Sequence, residues 1–254
     1  PIVCDYSIEG SGQPLFLIHG IGASRDVWRF MIPKLSEHFT VISYDLRGHG
    51  ISPKSSYEFD LNDLVLDLEH LRERLGFEKA IFVGHSLGGM IAPAYALKYP
   101  DHVKALGLLS TAAGRTTEDR EKVLAVINTM KDQSISKILP TLIDRWFTDK
   151  FIKSSSDIIE RRIQQVIKTD PVVFMNVFRI YANTEMSPWL HKIKAPTLVL
   201  TGENDGACNP RINKHIADQI PNSKLIILSK YKHSLLLEAP EKVTDNIINF
   251  FYKN

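Results

Sequence analysis

Cysteine is scarce in this chain. Its two cysteines, Cys4 and Cys208, lie far apart and form no C-x-x-C pair. That excludes a disulfide framework and fits a cytoplasmic setting. No apolar run approaches the ~18 residues of a membrane span. The N-terminal stretch also lacks the basic-then-apolar pattern of a signal peptide. Neither sign of charge dominates: 31 Lys+Arg against 29 Asp+Glu leave a formal net charge of +2. With no basic block either, nucleic acid and membrane surfaces are not expected partners. There is no H-E-x-x-H and no Cys/His cluster, so no metal is expected. The absence of G-x-G-x-x-G and of a Walker-type G-K-[ST] run leaves no nucleotide cofactor either. No internal repeat or low-complexity tract is found.

What the chain does have is a core. Apolar residues make up 44% of 254 positions, enough for a sizeable globular interior. Short apolar runs read as strands at Ile2–Tyr6, Leu15–Ile18, Val41–Tyr44, Ile81–Val83, Val103–Ser110, Thr197–Leu200 and Lys224–Leu228. Between them lie helical stretches. Trp28–Leu35 is one. Leu61 to Leu75 is another, with Asp60 as N-cap and Gly76 as the stop, and Met90–Lys98 and Thr244–Tyr252 are two more. Strands alternating with helices imply an α/β fold, a mainly parallel sheet covered on both faces. Residues 111–192 differ in kind: helical patterns at Arg120–Lys131, Ile138–Phe147, Asp157–Lys168 and Val172–Asn183, and no strand run. The expected organisation is a core of residues 1–110 and 193–254, interrupted by a helical cap over the C-terminal edge of the sheet, where open α/β folds bind ligands.

Chemistry concentrates at Gly84-His85-Ser86-Leu87-Gly88, a G-x-S-x-G run between a strand and a helix. That is the order of a nucleophile elbow, with the Ser86 hydroxyl exposed on a strained turn and glycines where side chains would collide. A serine nucleophile needs a base. Of nine histidines, His233 is chosen because it sits in a short loop after the last strand. His85 is expected to point away from Ser86, and His49 belongs to a loop read as structural. His38, His70, His102, His191 and His215 fall on polar faces or turns. Asp205, after the penultimate strand, is the orienting acid; Glu203 follows that strand too closely to swing towards His233. The order Ser86, Asp205, His233 suits this architecture. The loop His19-Gly20-Ile21-Gly22 supplies an oxyanion donor, the Ile21 N–H, beside that of Leu87. Cys208 is expected to pack.

Taken together, these residues resemble the α/β-hydrolase superfamily over essentially the whole chain. The matching pieces are His19-Gly20-Ile21-Gly22, Asp45 to Ser52, the Ser86 elbow, Lys194-Ala195-Pro196-Thr197, Asp205 and His233. Ser110 to Ala113, Arg145-Trp146-Phe147-Thr148 and Thr169-Asp170-Pro171 are similar to the 3-oxoadipate enol-lactonase group, although the oxyanion loop here has the general esterase form. The resemblance implies Trp146 in the acyl pocket, Arg145 biasing it towards an anion, and a small ester or lactone as substrate, 3-oxoadipate enol-lactone first among them. A general carboxylesterase or perhydrolase would use the same three residues, and a small-molecule receptor on this fold is the alternative of another class.

Overall fold

The computed structural model describes residues 1–55, 57–132 and 135–252. Seven strands run in chain order: β1 (Tyr6–Glu9), β2 (Gln13–Ile18), β3 (Phe39–Tyr44), β4 (Ala80–His85), β5 (Val103–Leu109), β6 (Thr197–Gly202) and β7 (Ser223–Leu228). They form one sheet in the order β1-β3-β2-β4-β5-β6-β7. Only β1 pairs antiparallel, with β3; the other neighbours are parallel. The helices are α1 (Ile32–Leu35), α2 (Leu61–Arg74), α3 (Gly88–Lys98), α4 (Thr117–Asp132), α5 (Ile135–Trp146), α6 (Asp149–Ser154), α7 (Ser156–Lys168), α8 (Pro171–Asn183), α9 (Pro210–Gln219), α10 (Leu235–Glu238) and α11 (Pro240–Phe251).

Alternation along each strand splits the interior in two. Phe16, Ile18 and Phe82 face one core, where they meet Met90 and Tyr95 of α3 and Leu64 and Leu68 of α2. Leu15, Leu17, Ile81 and Val83 face the other, with Trp28, Leu35, Val243 and Ile247. Both faces are covered, which is why the central strands read as unbroken apolar runs. The start of α2 is fixed as its sequence suggests. Asp60 accepts from the Asp63 N–H and the Asp63 side chain accepts from the Asp60 N–H, each at 3.0 Å, a reciprocal cap.

Three expectations need correcting. The first strand is Tyr6–Glu9 rather than Ile2–Tyr6. Cys4 is buried and the Ile2 N–H donates to Asp67, so the early apolar residues pack without joining the ladder. The stretch expected as one helix, Trp28–Leu35, is a 3-10 turn at Arg25–Trp28 followed by the four-residue α1, with Pro33 in its first turn. The terminal helix begins earlier, at Pro240, a residue whose missing N–H costs nothing at a first helical position. Helices α6, α9 and α10 were not anticipated.

Between β5 and β6, helices α4 to α8 carry cores of their own. Ile138, Leu139 and Leu142 of α5 meet Val166 of α7 and Phe174 and Phe178 of α8. No helix among the described residues is long and apolar enough to cross a membrane.

Candidate active site

Ser86 directly follows β4, and its backbone is left-handed, with φ +56°. A side chain in that region costs ~1–3 kcal/mol and persists only where neighbours impose it. The imposing contacts are visible. The Ser86 N–H donates to the Leu109 carbonyl at 2.9 Å, and the Ser86 carbonyl accepts from the Gly89 N–H at 3.0 Å. The same carbonyl accepts from the Thr111 hydroxyl at 2.8 Å. A Cβ on Gly84 would stand 2.0 Å from the Gly88 carbonyl oxygen, and one on Gly88 2.1 Å from that of Ile18. Strand, turn and helix are therefore closer than any side chain at those two positions would allow.

His233 lies in the loop between β7 and α10. Its Nδ1–H donates to Asp205 Oδ2 at 2.7 Å. The other carboxylate oxygen, Oδ1, accepts from the Ala207 and Cys208 N–H groups at 3.0 and 2.8 Å. Burial by itself would raise the Asp205 pKa, but the His233 charge and these hydrogen bonds outweigh it and hold the carboxyl below its ordinary value. Burial would likewise depress His233, and the Asp205 charge and hydrogen bond override it and push the imidazole upward. With Nδ1 engaged, Nε2 is the nitrogen left to exchange a proton. Glu203 is spent elsewhere, accepting from the Ser229 hydroxyl and the Lys230 N–H, both at 2.9 Å.

His85 does more than point away from Ser86. Its Nε2–H donates to the His233 carbonyl at 2.9 Å, and the two rings lie 4.9 Å apart, so it props the loop that holds His233. Burial pushes its pKa down to about 3, which keeps it neutral. His102 and His215 are also less free than their polar surroundings suggest: one lies 3.1 Å from Glu69, the other 2.8 Å from the Ser187 hydroxyl.

The loop after β2 is pinned by two more neutral histidines. His19 donates from Nδ1 to the Gly20 carbonyl at 2.8 Å, while its Nε2 accepts from the Leu46 N–H at 3.0 Å. His49 accepts from the Gly22 N–H at 3.2 Å and donates from Nδ1 to the Arg47 carbonyl at 3.1 Å. Each nitrogen has one fixed role, so neither ring can take a second proton without losing an accepted bond. Burial accordingly lowers their pKa values to about 4 and about 3. Pinned in this way, the loop comes close to Ser86: a Cβ on Gly20 would stand 3.0 Å from the Ser86 Cβ. Leu87 stands at the N-cap of α3, where a helix leaves its first N–H groups without acceptors of its own.

Ser86, His233, Gly20 and Ile21 line one partly enclosed cavity of about 100 Å³. The insertion supplies its opposite wall: Val123 and Val126 of α4, Leu142, Arg145 and Trp146 of α5, Arg162 of α7, and Phe178 and Tyr181 of α8. The two cap residues expected at the pocket thus both reach it, Arg145 with an exposed side chain. Arg162 was not foreseen. It is buried beside Trp146 and grips the loop, donating to the Ile21 carbonyl at 2.9 Å and to that of Gly22. The signal was present in the spacing of Ile159, Arg162 and Val166, the three buried residues of α7. An arginine on an otherwise apolar inward face is the kind of exception that marks a site.

Cys208 is buried, with its sulfur 3.3 Å from the Tyr181 hydroxyl. Ligand atoms of Asp205, Cys208 and His233 come within 4.8 Å of one another. Asp205 and His233 already satisfy each other, however, so the thiol is best described as a neighbour of that pair.

A family model described as alpha/beta hydrolase fold matches residues 13–164. Among curated proteins, (E)-2-((N-methylformamido)methylene)succinate hydrolase of Acinetobacter baylyi is 29% identical over 242 residues, which cover 94% of this chain and 90% of that protein. The 3-oxoadipate enol-lactonase 2 of the same organism is 25% identical with the same coverage. Among solved structures, a thermophilic esterase from Thermogutta terrifontis, with malate bound, superposes with a TM-score of 0.89 at 28% identity, over 98% of this chain and 93% of that one.

Proposed function

The chain belongs to the α/β-hydrolase family and is a carboxylic ester hydrolase; from that premise we propose that it cleaves a small ester or lactone through an acyl-enzyme on Ser86. One observation carries this reading. A serine on a strained strand-to-helix turn shares a cavity with a histidine already bonded to a buried carboxylate. His233 Nε2 removes the Ser86 hydroxyl proton as the oxygen attacks the substrate carbonyl, and Asp205 stabilises the imidazolium that results. The Ile21 and Leu87 N–H groups receive the oxyanion, each worth ~3 kcal/mol of transition-state stabilisation. His233 then protonates the leaving oxygen. Water, deprotonated by the same imidazole, releases the acyl group. With a lactone the leaving alcohol stays tethered, so this second half must outrun re-closure.

The helices of residues 111–192 act as a cap, shielding the acyl-enzyme from bulk water and limiting substrate size. Trp146 lines the acyl pocket, and Arg145 stands at its solvent side. Two relatives are named for 3-oxoadipate enol-lactone and for a substituted succinate, and the related esterase carries malate. On that footing 3-oxoadipate enol-lactone is the first substrate to try. The two free, buried cysteines suit a cytoplasmic enzyme.

The test measures kcat/KM on 3-oxoadipate enol-lactone and on 4-nitrophenyl acetate, with Ser86→Ala as the blank. A Ser86-dependent value above ~10⁴ M⁻¹s⁻¹ on the lactone supports the assignment. Turnover of the acetate alone removes the lactone and keeps the esterase. One slow turnover with retained product would indicate a receptor, and hydrolysis that survives Ser86→Ala would remove the mechanism.

A further inference from the structure

Arg162 is a cation in an unusual place. It is 92% buried, since 8% of its surface remains exposed. It lines the cavity that holds Ser86 and His233. Among the described residues it forms no ion pair. Its neighbour Arg161 shows the ordinary solution, reaching out to Asp26 with one bond of 2.7 Å. Arg162 instead turns inward between Ile159 and Val166 and finds only neutral partners: the carbonyls of Ile21 and Gly22 and the ring of Trp146, whose centre lies 4.6 Å from its guanidinium carbon. Burying a charge without a counter-ion is costly, and chains rarely keep one in that state without a use for it.

The rest of the cavity does nothing to neutralise it. Among its described lining residues there are two arginines and no aspartate or glutamate. Asp205 lies behind His233, its oxygens taken by the imidazole and two backbone N–H groups. The Arg162 charge is nevertheless felt locally. Burial pulls its pKa down to about 9, still above neutrality, and it contributes to the low values of His19, His49 and His85. The bonds to Ile21 and Gly22 also set its distance from the reaction: it is one peptide removed from the N–H offered to the oxyanion.

We propose that Arg162 is the specificity-determining residue of this site and selects a substrate bearing a carboxylate in addition to the carbonyl that reacts. The substrate's own anion supplies the missing counter-charge. Trp146 holds the guanidinium flat, as a face for planar carboxylate recognition. This rests on the ester-hydrolase reading and deepens it. It also moves the anion-recognising role from Arg145, which is exposed, to a cation that water does not screen.

The experiment compares two activated esters of nearly equal shape, mono-4-nitrophenyl glutarate and its uncharged isostere 4-nitrophenyl 5-methylhexanoate. The readout is the ratio of their kcat/KM values in the wild type, Arg162→Gln, Arg162→Lys and Arg145→Gln. The wild type is expected to favour the charged ester about tenfold or more, as a charge-assisted bond provides. Arg162→Gln should lose at least tenfold of that ratio, mainly through KM, and Arg162→Lys should recover part of it. Arg145→Gln should move the ratio less. Competitive inhibition by free glutarate is the second readout and should weaken in parallel, and if Arg162→Gln does not fold, Arg162→Lys carries the comparison. A ratio that stays constant while both esters decline together would mean that Arg162 only holds the loop, and would overturn the proposal. So would a wild type that prefers the uncharged ester. If neither ester is hydrolysed in a Ser86-dependent way, it is the ester-hydrolase reading that fails.

Discussion

On the sheet side of the cavity, an added methyl at Gly84 or Gly88 would stand about 2 Å from backbone oxygen, and Ser86 is held in a conformation that L-residues avoid. On the insertion side the wall is Val123, Val126, Leu142 and Phe178, side chains meeting side chains. Backbone against backbone leaves nothing to adjust. Side-chain packing can be re-cut a methylene at a time and the fold survives. The reacting groups sit on the first kind of wall, and the groups that decide what enters sit on the second. The one buried charge on the second wall, Arg162, reaches across and holds the first by two carbonyls.

Substitutions can break this contrast, and the largest effects belong to the sheet side. Ser86→Ala should remove about a millionfold in kcat while leaving the thermal midpoint nearly unchanged, since alanine keeps the Cβ and the same left-handed backbone. Any substantial residual turnover in a burst-free assay would contradict it. Asp205→Asn should lower kcat by about 10⁴. It should also move the acid limb of the pH–rate profile to lower pH, because the Asp205 charge is what lifts the His233 pKa. A limb that stays in place would mean that another group sets it.

Gly20→Ala separates geometry from stability. Its Cβ would press on Ser86 from 3.0 Å. Catalysis should fall by about 10²–10³ through a displaced oxyanion donor, whereas a chemical denaturation midpoint should barely move. Gly88→Ala should cost about 1–3 kcal/mol of stability in addition, since its Cβ would stand 2.1 Å from the Ile18 carbonyl oxygen. If Gly20→Ala were silent in kcat, the loop would not be part of the reaction.

How much of this was readable beforehand follows the same division. Ser86, Asp205 and His233 stand out because a reactive turn must follow a strand and its partners must follow later strands, and such order survives in one dimension. The need for Gly84 and Gly88 was legible for the same reason. The first strand was misplaced because Ile2 and Cys4 are apolar through packing, and apolarity alone does not distinguish packing from pairing. The roles of His19 and His85 were not legible, because each depends on a hydrogen bond to a residue distant in the chain, Leu46 for one and His233 for the other; His49, whose loop does read as structural, reaches Gly22 in the same way. Arg162 was passed over because it follows Arg161 on a charged helix, and the contrast between them appears only once α7 has an inside.

The three pinned histidines give a pH prediction. Their folded pKa values, about 4, 3 and 3, lie below the ordinary 6.5. Between those limits the unfolded chain binds protons that the folded chain refuses, so the contribution of these three rings to stability is complete above about pH 6.5 and declines as pH falls towards 4. His233 adds no slope in that window, being protonated in both states there. Thermal midpoints across pH 4–7 should show the decline, and His49→Gln should make it shallower by about one proton. A flat curve would mean that these rings are not buried neutral.

The smallest effects should come from the insertion wall. Val126→Ala should enlarge the cavity, cost about 1 kcal/mol of stability, and shift preference towards longer acyl chains by a few-fold without changing the pH profile. A loss of kcat common to all esters would place Val126 with the reacting groups and blur the contrast.

The most direct test of the central claim is intact-protein mass spectrometry during turnover of a slow ester, quenched in acid, followed by peptide mapping. The account predicts one acyl group on Ser86 during turnover of the wild type, absent from Ser86→Ala and formed far more slowly when His233 is replaced, since the same imidazole serves both halves of the reaction. An acyl group mapped to another residue, or steady hydrolysis by the wild type of an ester whose deacylation limits turnover with none trapped on Ser86, would contradict it.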